Sequence, residues 1–219
     1  RVPRFVLSST AAALDPGGGG ALDEAAARAP VSAYGESKAM AERALEWAAH
    51  AHGLRTACLR YFNAAGADPA LRLGEDHRPE THLIPAAIDA ALGRRPPLEL
   101  RGEDYPTPDG TCVRDYVHVS DLAAAHLLAL RRMDSGPVVW NLGNGAGHSV
   151  RAVLDAVEDA VGRPVPRIAA PRRAGDPAAL VARSARARAA GWRPRHAELR
   201  AIVETAARWR ARNPGGYGG

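Results

Sequence analysis

The opening third of the chain constrains the fold most, because it alternates apolar strand, helix and apolar strand at short spacing. Residues 4–8 (RFVLS) form a short apolar run that ends on Ser8-Ser9-Thr10. Residues 39–51 are rich in Ala and Glu, Gly53 stops that helical stretch, and residues 54–61 (LRTACLRY) give a second apolar run. A strand, helix and strand so spaced predict a βαβ unit with buried parallel strands. Ligands of doubly wound sheets sit at the carboxyl ends of such strands, where Ser9 and Thr10 fall. Either hydroxyl can serve chemistry there or simply close the strand on its own backbone.

Tyr34 and Lys38 stand at the head of the helix in Tyr-Gly-Glu-Ser-Lys, and Lys38 is the only lysine beside 28 arginines. Four residues apart, the two side chains share a helix face. A free tyrosine ionises near pH 10, so its use as a base near pH 7 requires stabilising the phenolate by about 4 kcal/mol. A nearby cation acts in that direction. The compact ammonium can serve a phenol and a ligand hydroxyl together. The same spacing also fits a surface helix with an ordinary Tyr and Lys.

Residues 62–66 (FNAAG) read as a strand-end turn, and 83–92 as an amphipathic helix. His82 is taken as a helix-start residue, with no second ligand at metal spacing and no metal expected. Residues 98–101 are a short strand, and 105–111 (YPTPDGT) a turn-rich loop. In 113–119 (VRDYVHV) the alternation places Arg114, Tyr116 and His118 on one face. Arg114 is then positioned to grip an anion with Tyr116 packed beside it, unless this is a half-exposed strand. Ser120 or Asp121 is expected to cap the next helix. After the strand 138–142, Gly143-x-Gly145-x-Gly147 lacks the third glycine of a dinucleotide fingerprint, which would fall at His148; it reads as a close-packed loop. The glycine run in 15–20 (DPGGGG) reads as a flexible loop, with no strand or helix suitably placed around it.

A hydrophobic fraction of 46% is ample for a packed core. No run of about 18 apolar residues or signal pattern marks export or membrane insertion, which makes a cytoplasmic location the default. Cys58 and Cys112 lie far apart and read as reduced and structural. Residues 163–219 hold thirteen arginines against Asp176, Glu198 and Glu204, a net charge of +10, which leaves −5 for the first 162 residues. This basic end has few aromatics and no nucleic-acid motif, so it reads as a solvated face or a seat for a phosphate-bearing ligand, with Arg172 and Arg173 as the anion candidates.

The ordered set formed by Ser8-Ser9-Thr10, Tyr34-x-x-x-Lys38, Arg60-Tyr61-Phe62-Asn63, YPTPDGT, VRDYVHV, Asn141-Leu142-Gly143 and Pro171-Arg172-Arg173-x-Gly175-Asp176 resembles the UDP-glucose 4-epimerase family of the extended short-chain dehydrogenase/reductase superfamily. The resemblance runs from Arg4 almost to the end of the chain. It implies an α/β fold: the C-terminal part of a Rossmann-type doubly wound sheet plus a smaller α/β substrate-binding domain. Residues 1–66 would be the late part of the NAD-binding domain, and 67–219 mainly the nucleotide-sugar domain, with 113–135 returning to the first. Members of the family begin with a G-x-x-G-x-x-G loop that seats the NAD pyrophosphate, and these 219 residues contain none. The expectation is therefore a fragment, the C-terminal two thirds of such an enzyme, with a bare sheet edge.

The resemblance implies NAD as cofactor, held by Thr10, Tyr34, Lys38 and Phe62, and a UDP-sugar as substrate. Tyr34 would be the base that takes the sugar 4-hydroxyl proton, Lys38 would support it and bond the nicotinamide ribose, and Thr10 would stand in for the usual serine. Asn63, His82, Leu83, Arg101, Arg114, Tyr116, Arg173 and Asp176 would hold the substrate. His82 replaces a common Asn, and Arg101 a common aromatic beside the uracil. Leu180 would stand where the size of the sugar 2-substituent is limited. The complete enzyme would be a homodimer without nucleic-acid or membrane partners. Two other readings stay open: a dehydratase or decarboxylase of the same superfamily, disfavoured by Ala11-Ala12-Ala13 where an acidic pair is usual, and a non-catalytic remnant that binds UDP or a protein partner.

Overall fold

The computed structural model describes residues 2–17 and 20–218. Gly18 and Gly19 of the expected glycine loop lie outside the described residues. Strand β1 (Arg4–Thr10) leads through a 3-10 turn at Ala11–Ala13 to helix α1 (Ala33–His52), which is followed by β2 (Arg55–Tyr61). Ser32 Oγ caps α1 by accepting from Gly35 N at 3.1 Å, and Gly53 ends it in the left-handed conformation with φ 65°. Next come β3 (Asn63–Ala65), α2 (Leu83–Ala91), β4 (Leu98–Arg101), β5 (Val113–His118), α3 (Val119–Arg132) and β6 (Val138–Leu142). Strand β7 (Gly147–Ser149), α4 (Val150–Val161), β8 (Arg167–Ala170), β9 (Ala179–Leu180), α5 (Ala185–Ala189) and α6 (Leu199–Arg212) complete the order.

Three sheets result. In the first, β1, β2 and β6 run parallel in that order, with Thr10 beside Tyr61 and Tyr61 beside Leu142, so three strand ends finish in one row. The central strand β2 is buried from Thr56 to Arg60, which its continuous apolar run requires, while β1 is an edge with Phe5 44% exposed. In the second, β5 is the hub: its carboxyl half pairs with β3, and its amino half lies between antiparallel β7 and parallel β9. The third is the parallel pair of β4 and β8. One core packs α2, α4 and α6 through Ile84, Ile88, Leu154, Val157 and Ile202. Another joins β2, β6 and α3 through Leu59, Leu142, Leu122, Met133 and Trp192. A small third cluster, including Leu14, Leu22 and Phe62, fills the space beneath the first turn.

Several local expectations are corrected. Residues 63–65 form strand β3 rather than a turn, because β5 offers them a parallel ladder. Helix α2 is buried nearly all round, Asp89 included, because α4 and α6 both pack on it. His118, and neither Ser120 nor Asp121, caps α3: its Nδ1 accepts from Ser120 N at 3.1 Å, while Asp121 accepts from the Arg195 and His196 amides. Strand β5 is not half-exposed, since residues 115–118 are all buried. Both cysteines are buried and free, as expected, and burial pushes the Cys58 thiol up to about 12. No helix among the described residues is long and apolar enough to cross a membrane.

Candidate active site

The row of strand ends positions the first group of side chains. Helix α1 is drawn onto the turn after β1 so closely that a Cβ on Gly35 would lie 2.1 Å from the Ala12 carbonyl oxygen. Glycine is thus what lets Tyr34 and Lys38 approach that turn. Lys38 Nζ donates to the Ser8 carbonyl at 3.1 Å and lies 5.8 Å from the centre of the Tyr34 ring, which is 58% exposed. The Thr10 hydroxyl accepts from Ala12 N at 3.2 Å, an N-cap bond that leaves its proton free to donate. Ser9 is buried and donates to Glu42 Oε1 at 2.6 Å. One turn beyond Lys38, Glu42 also takes a two-pronged contact from Arg60 of β2, at 2.9 and 2.6 Å. Burial pushes this carboxyl up, but the bonds from Arg60 and Ser9 outweigh it and hold the group below its ordinary range.

These strand ends open on a cleft of about 440 Å³. Of the residues expected in the site, Thr10, Tyr34, Phe62, Asn63, His82, Leu83, Tyr116 and Arg173 line it. Asp176 and Leu180 line a second cleft of about 320 Å³, and Arg173 borders both. Arg114 pairs with Asp176 at 2.5 Å and Arg172 with Asp104, whereas Arg173 has no carboxylate partner among the described residues. Arg101 lies on β4, pairs with Glu99, and lines neither cleft. Burial pushes the Tyr116 phenol, 5% exposed, above its ordinary range.

The profile of the Epimerase family, described as the NAD dependent epimerase/dehydratase family, matches residues 1–143. The chain is 46% identical over 219 residues to a UDP-glucose 4-epimerase of Halalkalibacterium halodurans, covering 99% of this chain and 66% of that protein. It is 50% identical over 211 residues to one of Azospirillum brasilense, covering 95% and 61%. The crystal structure of a Bifidobacterium longum UDP-glucose 4-epimerase in complex with NAD+ and UDP superposes with a TM-score of 0.93 at 35% identity, over 99% of this chain and 66% of that one. The chain belongs to the NAD dependent epimerase/dehydratase family. It spans about two thirds of the length of these relatives.

The family's cofactor can be tested against the residues present. Tyr34, Lys38 and Thr10 offer a phenol, an ammonium and a hydroxyl at parallel strand ends, which fits the ribose and nicotinamide end of a dinucleotide. The Gly143–Gly147 loop does not fit the pyrophosphate, because it already encloses an anion. Asp115 of β5 accepts from the Asn144, Gly145 and Ala182 amides at 2.8, 2.9 and 3.0 Å, and a Cβ on Gly143 would meet its Oδ2 at 2.5 Å. This agrees with reading the glycines as close-packed. The sequence motifs assign no role to Asp115 or Glu42. Glu42 had a usable signal, a carboxylate four residues after Lys38 on the helix face turned to the sheet; Asp115 had none beyond its place opposite Arg114.

The expectation that His82 has no companion at metal spacing is also corrected. Glu75, His77, Glu80 and His82 each bring a ligand atom to within 4.8 Å of the others. The segment is an irregular loop rather than a helix, so neither i, i+4 spacing nor a Cys/His signature announces the group.

Proposed function

We propose that this chain carries the catalytic and nucleotide-sugar-binding parts of an NAD-dependent UDP-glucose 4-epimerase, which interconverts UDP-glucose and UDP-galactose through a 4-keto sugar. The observation that supports it most is the convergence of Tyr34, Thr10, Phe62, Asn63, His82, Leu83, Tyr116 and Arg173 on one cleft. Residues 1–66 supply the catalytic side and 67–219 mainly the nucleotide side, with 113–135 returning to the first.

When bound, NAD would supply a reversible hydride acceptor for sugar C4. Thr10, Tyr34, Lys38 and Phe62 would hold its nicotinamide end. Tyr34 Oη takes the 4-hydroxyl proton as C4 is oxidised and gives a proton back when the ketone is reduced. Lys38, fixed by the Ser8 carbonyl, places a cation beside the phenol. Thr10 donates its free hydroxyl proton to the same sugar oxygen. Arg173, which lines both clefts, binds the diphosphate, and Asn63 and the Leu83 backbone help to seat the nucleotide. Asp176 and Arg114 neutralise each other until substrate arrives and then divide between ribose hydroxyls and phosphate. The exposed Met40 and Trp47 on α1 support a homodimer for the complete enzyme.

Tyr34→Phe in the full-length protein tests the reading. Turnover of UDP-galactose should fall by about 10²- to 10⁴-fold, with UDP affinity measured by calorimetry unchanged. A comparable loss of UDP affinity would make Tyr34 a structural residue and sink the assignment.

A further inference from the structure

The loop between β3 and α2 holds three donors to which the proposed epimerase chemistry gives no role, Glu75, His77 and Glu80, beside His82 of the substrate cleft. Its Glu75, His77, Glu80 and His82 point ligand atoms at one locus. The imidazoles of His77 and His82 stack, with ring centres 5.1 Å apart and planes 13° from parallel. His82 Nδ1 contacts Glu75 Oε1, and His77 Nδ1 lies 3.6 Å from Glu80 Oε1. Glu80 carries the further observation. Its side chain is only 9% exposed, its Oε1 accepts from His82 N at 2.9 Å, and its Oε2 has no hydrogen-bond partner among the described residues. A buried carboxylate oxygen without a partner is costly. The adjacent Arg95 reaches only the Glu80 backbone carbonyl, at 3.5 Å.

The loop is held in place by groups other than these donors. Gly74 lies so close to the Trp209 ring that a Cβ there would come within 2.2 Å of it, and its N–H and C=O both bond Tyr217 Oη at 2.9 Å. Asp76 accepts from Tyr217 N at 3.1 Å, and Arg78 contacts both Asp76 and the Gly215 carbonyl. The donor group thus sits on a loop fixed at its back by α6 and the segment after it.

We propose that Glu75, His77, Glu80 and His82 bind one divalent transition-metal ion, with Zn²⁺ the best match. Two imidazole nitrogens and two carboxylates make a four-donor set that neutralises a dication. Donors around tetrahedral Zn²⁺ stand roughly 3.5 Å apart, so the present spread of up to 4.8 Å closes by small side-chain rotations. Glu80 Oε1 is the oxygen that faces His77, and an ion held by both Glu80 oxygens would also give Oε2 a partner. It also lies at the rim of the larger cleft, which Glu75 and His82 help to line. The inference shares only His82 with the substrate site of the epimerase reading, and its test uses neither nucleotide nor sugar.

The test is calorimetric titration of the chelator-treated full-length protein with Zn²⁺, without nucleotide or sugar, repeated on His77→Ala and Glu80→Gln. Co²⁺ absorption serves as a second readout, and circular dichroism shows that each variant is folded. The expected result is one ion per chain, tetrahedral Co²⁺ bands, a melting temperature raised by Zn²⁺, and at least tenfold weaker binding in each folded variant. Absence of saturable binding by the wild-type protein overturns the proposal, as does binding of unchanged strength in either folded variant. Should one variant fail to fold, Glu75→Gln takes its place under the same criterion.

Discussion

The two most deeply buried carboxylates among the described residues, Glu42 at 1% exposure and Asp115 at 0%, are held in opposite ways. Glu42, in the β1–α1–β2 unit, meets a guanidinium: Arg60, itself 4% exposed, grips both its oxygens. Asp115, under the Gly143–Gly147 loop, accepts from three backbone amides arranged as an anion nest, with a lesser charge contribution from His148. The acidity follows the environment. Burial raises Asp115 more than its amides lower it, whereas for Glu42 the bonds from Arg60 and Ser9 win over burial. The lesson is that a charge partner fixes where a helix sits on a sheet, while a nest of amides fixes the path of a loop. Glu42 anchors the helix that presents Tyr34 and Lys38; Asp115 gathers the ends of β6 and β9 around β5.

Removing Glu42 should have the larger effect, because it strands the buried charge of Arg60. Glu42→Ala is expected to cost about 3–5 kcal/mol in denaturant unfolding, and replacing both partners by Leu and Met should recover most of that loss. If the single and double variants prove equally unstable, the ion pair is not what anchors α1. Asp115→Asn should cost less, about 1–3 kcal/mol, since it strands only an amide hydrogen-bond donor. A loss as large as that of Glu42→Ala would show that a nest can matter as much as a cation.

The smallest effect is a difference in pH slope. The folded acidity of Glu42 is below its ordinary value near 4.5, so its stabilisation is present above that value and fades as pH falls through the folded one. Asp115 is raised above 3.8, so its charged form is disfavoured in the fold, and stability falls as pH rises from 3.8 through the raised value. Unfolding midpoints measured from pH 7 to pH 3 should therefore show the gap between wild type and Glu42→Gln narrowing below about pH 4.5. Over the same descent the gap between wild type and Asp115→Asn should widen. Parallel slopes in the two variants would mean that the two environments do not differ as described.

Local order was legible where neighbours in sequence are neighbours in space. The α1 pair Tyr34 and Lys38, the Gly53 stop, the strands β1, β2 and β6, and the close-packed glycine loop all follow from short-range spacing. The identity of β3, the full burial of α2 and the His118 cap did not, because each depends on an element distant in sequence: β5 for β3, α4 and α6 for α2, and for the cap the capture of Asp121 by the Arg195 and His196 amides.

By itself the sequence determined the βαβ beginning, the Tyr34–Lys38 geometry and the ordered motifs that mark the family, since these need only helical periodicity, strand alternation and glycine placement. Tertiary structure alone decided that Arg114 meets Asp176 while Arg173 has no carboxylate partner among the described residues, that Glu42 and Asp115 are buried, and that four donors of one loop converge. The physical reason is that periodicity fixes where a side chain leaves its own backbone, whereas pairing, burial and convergence depend on what other segments bring to the same place.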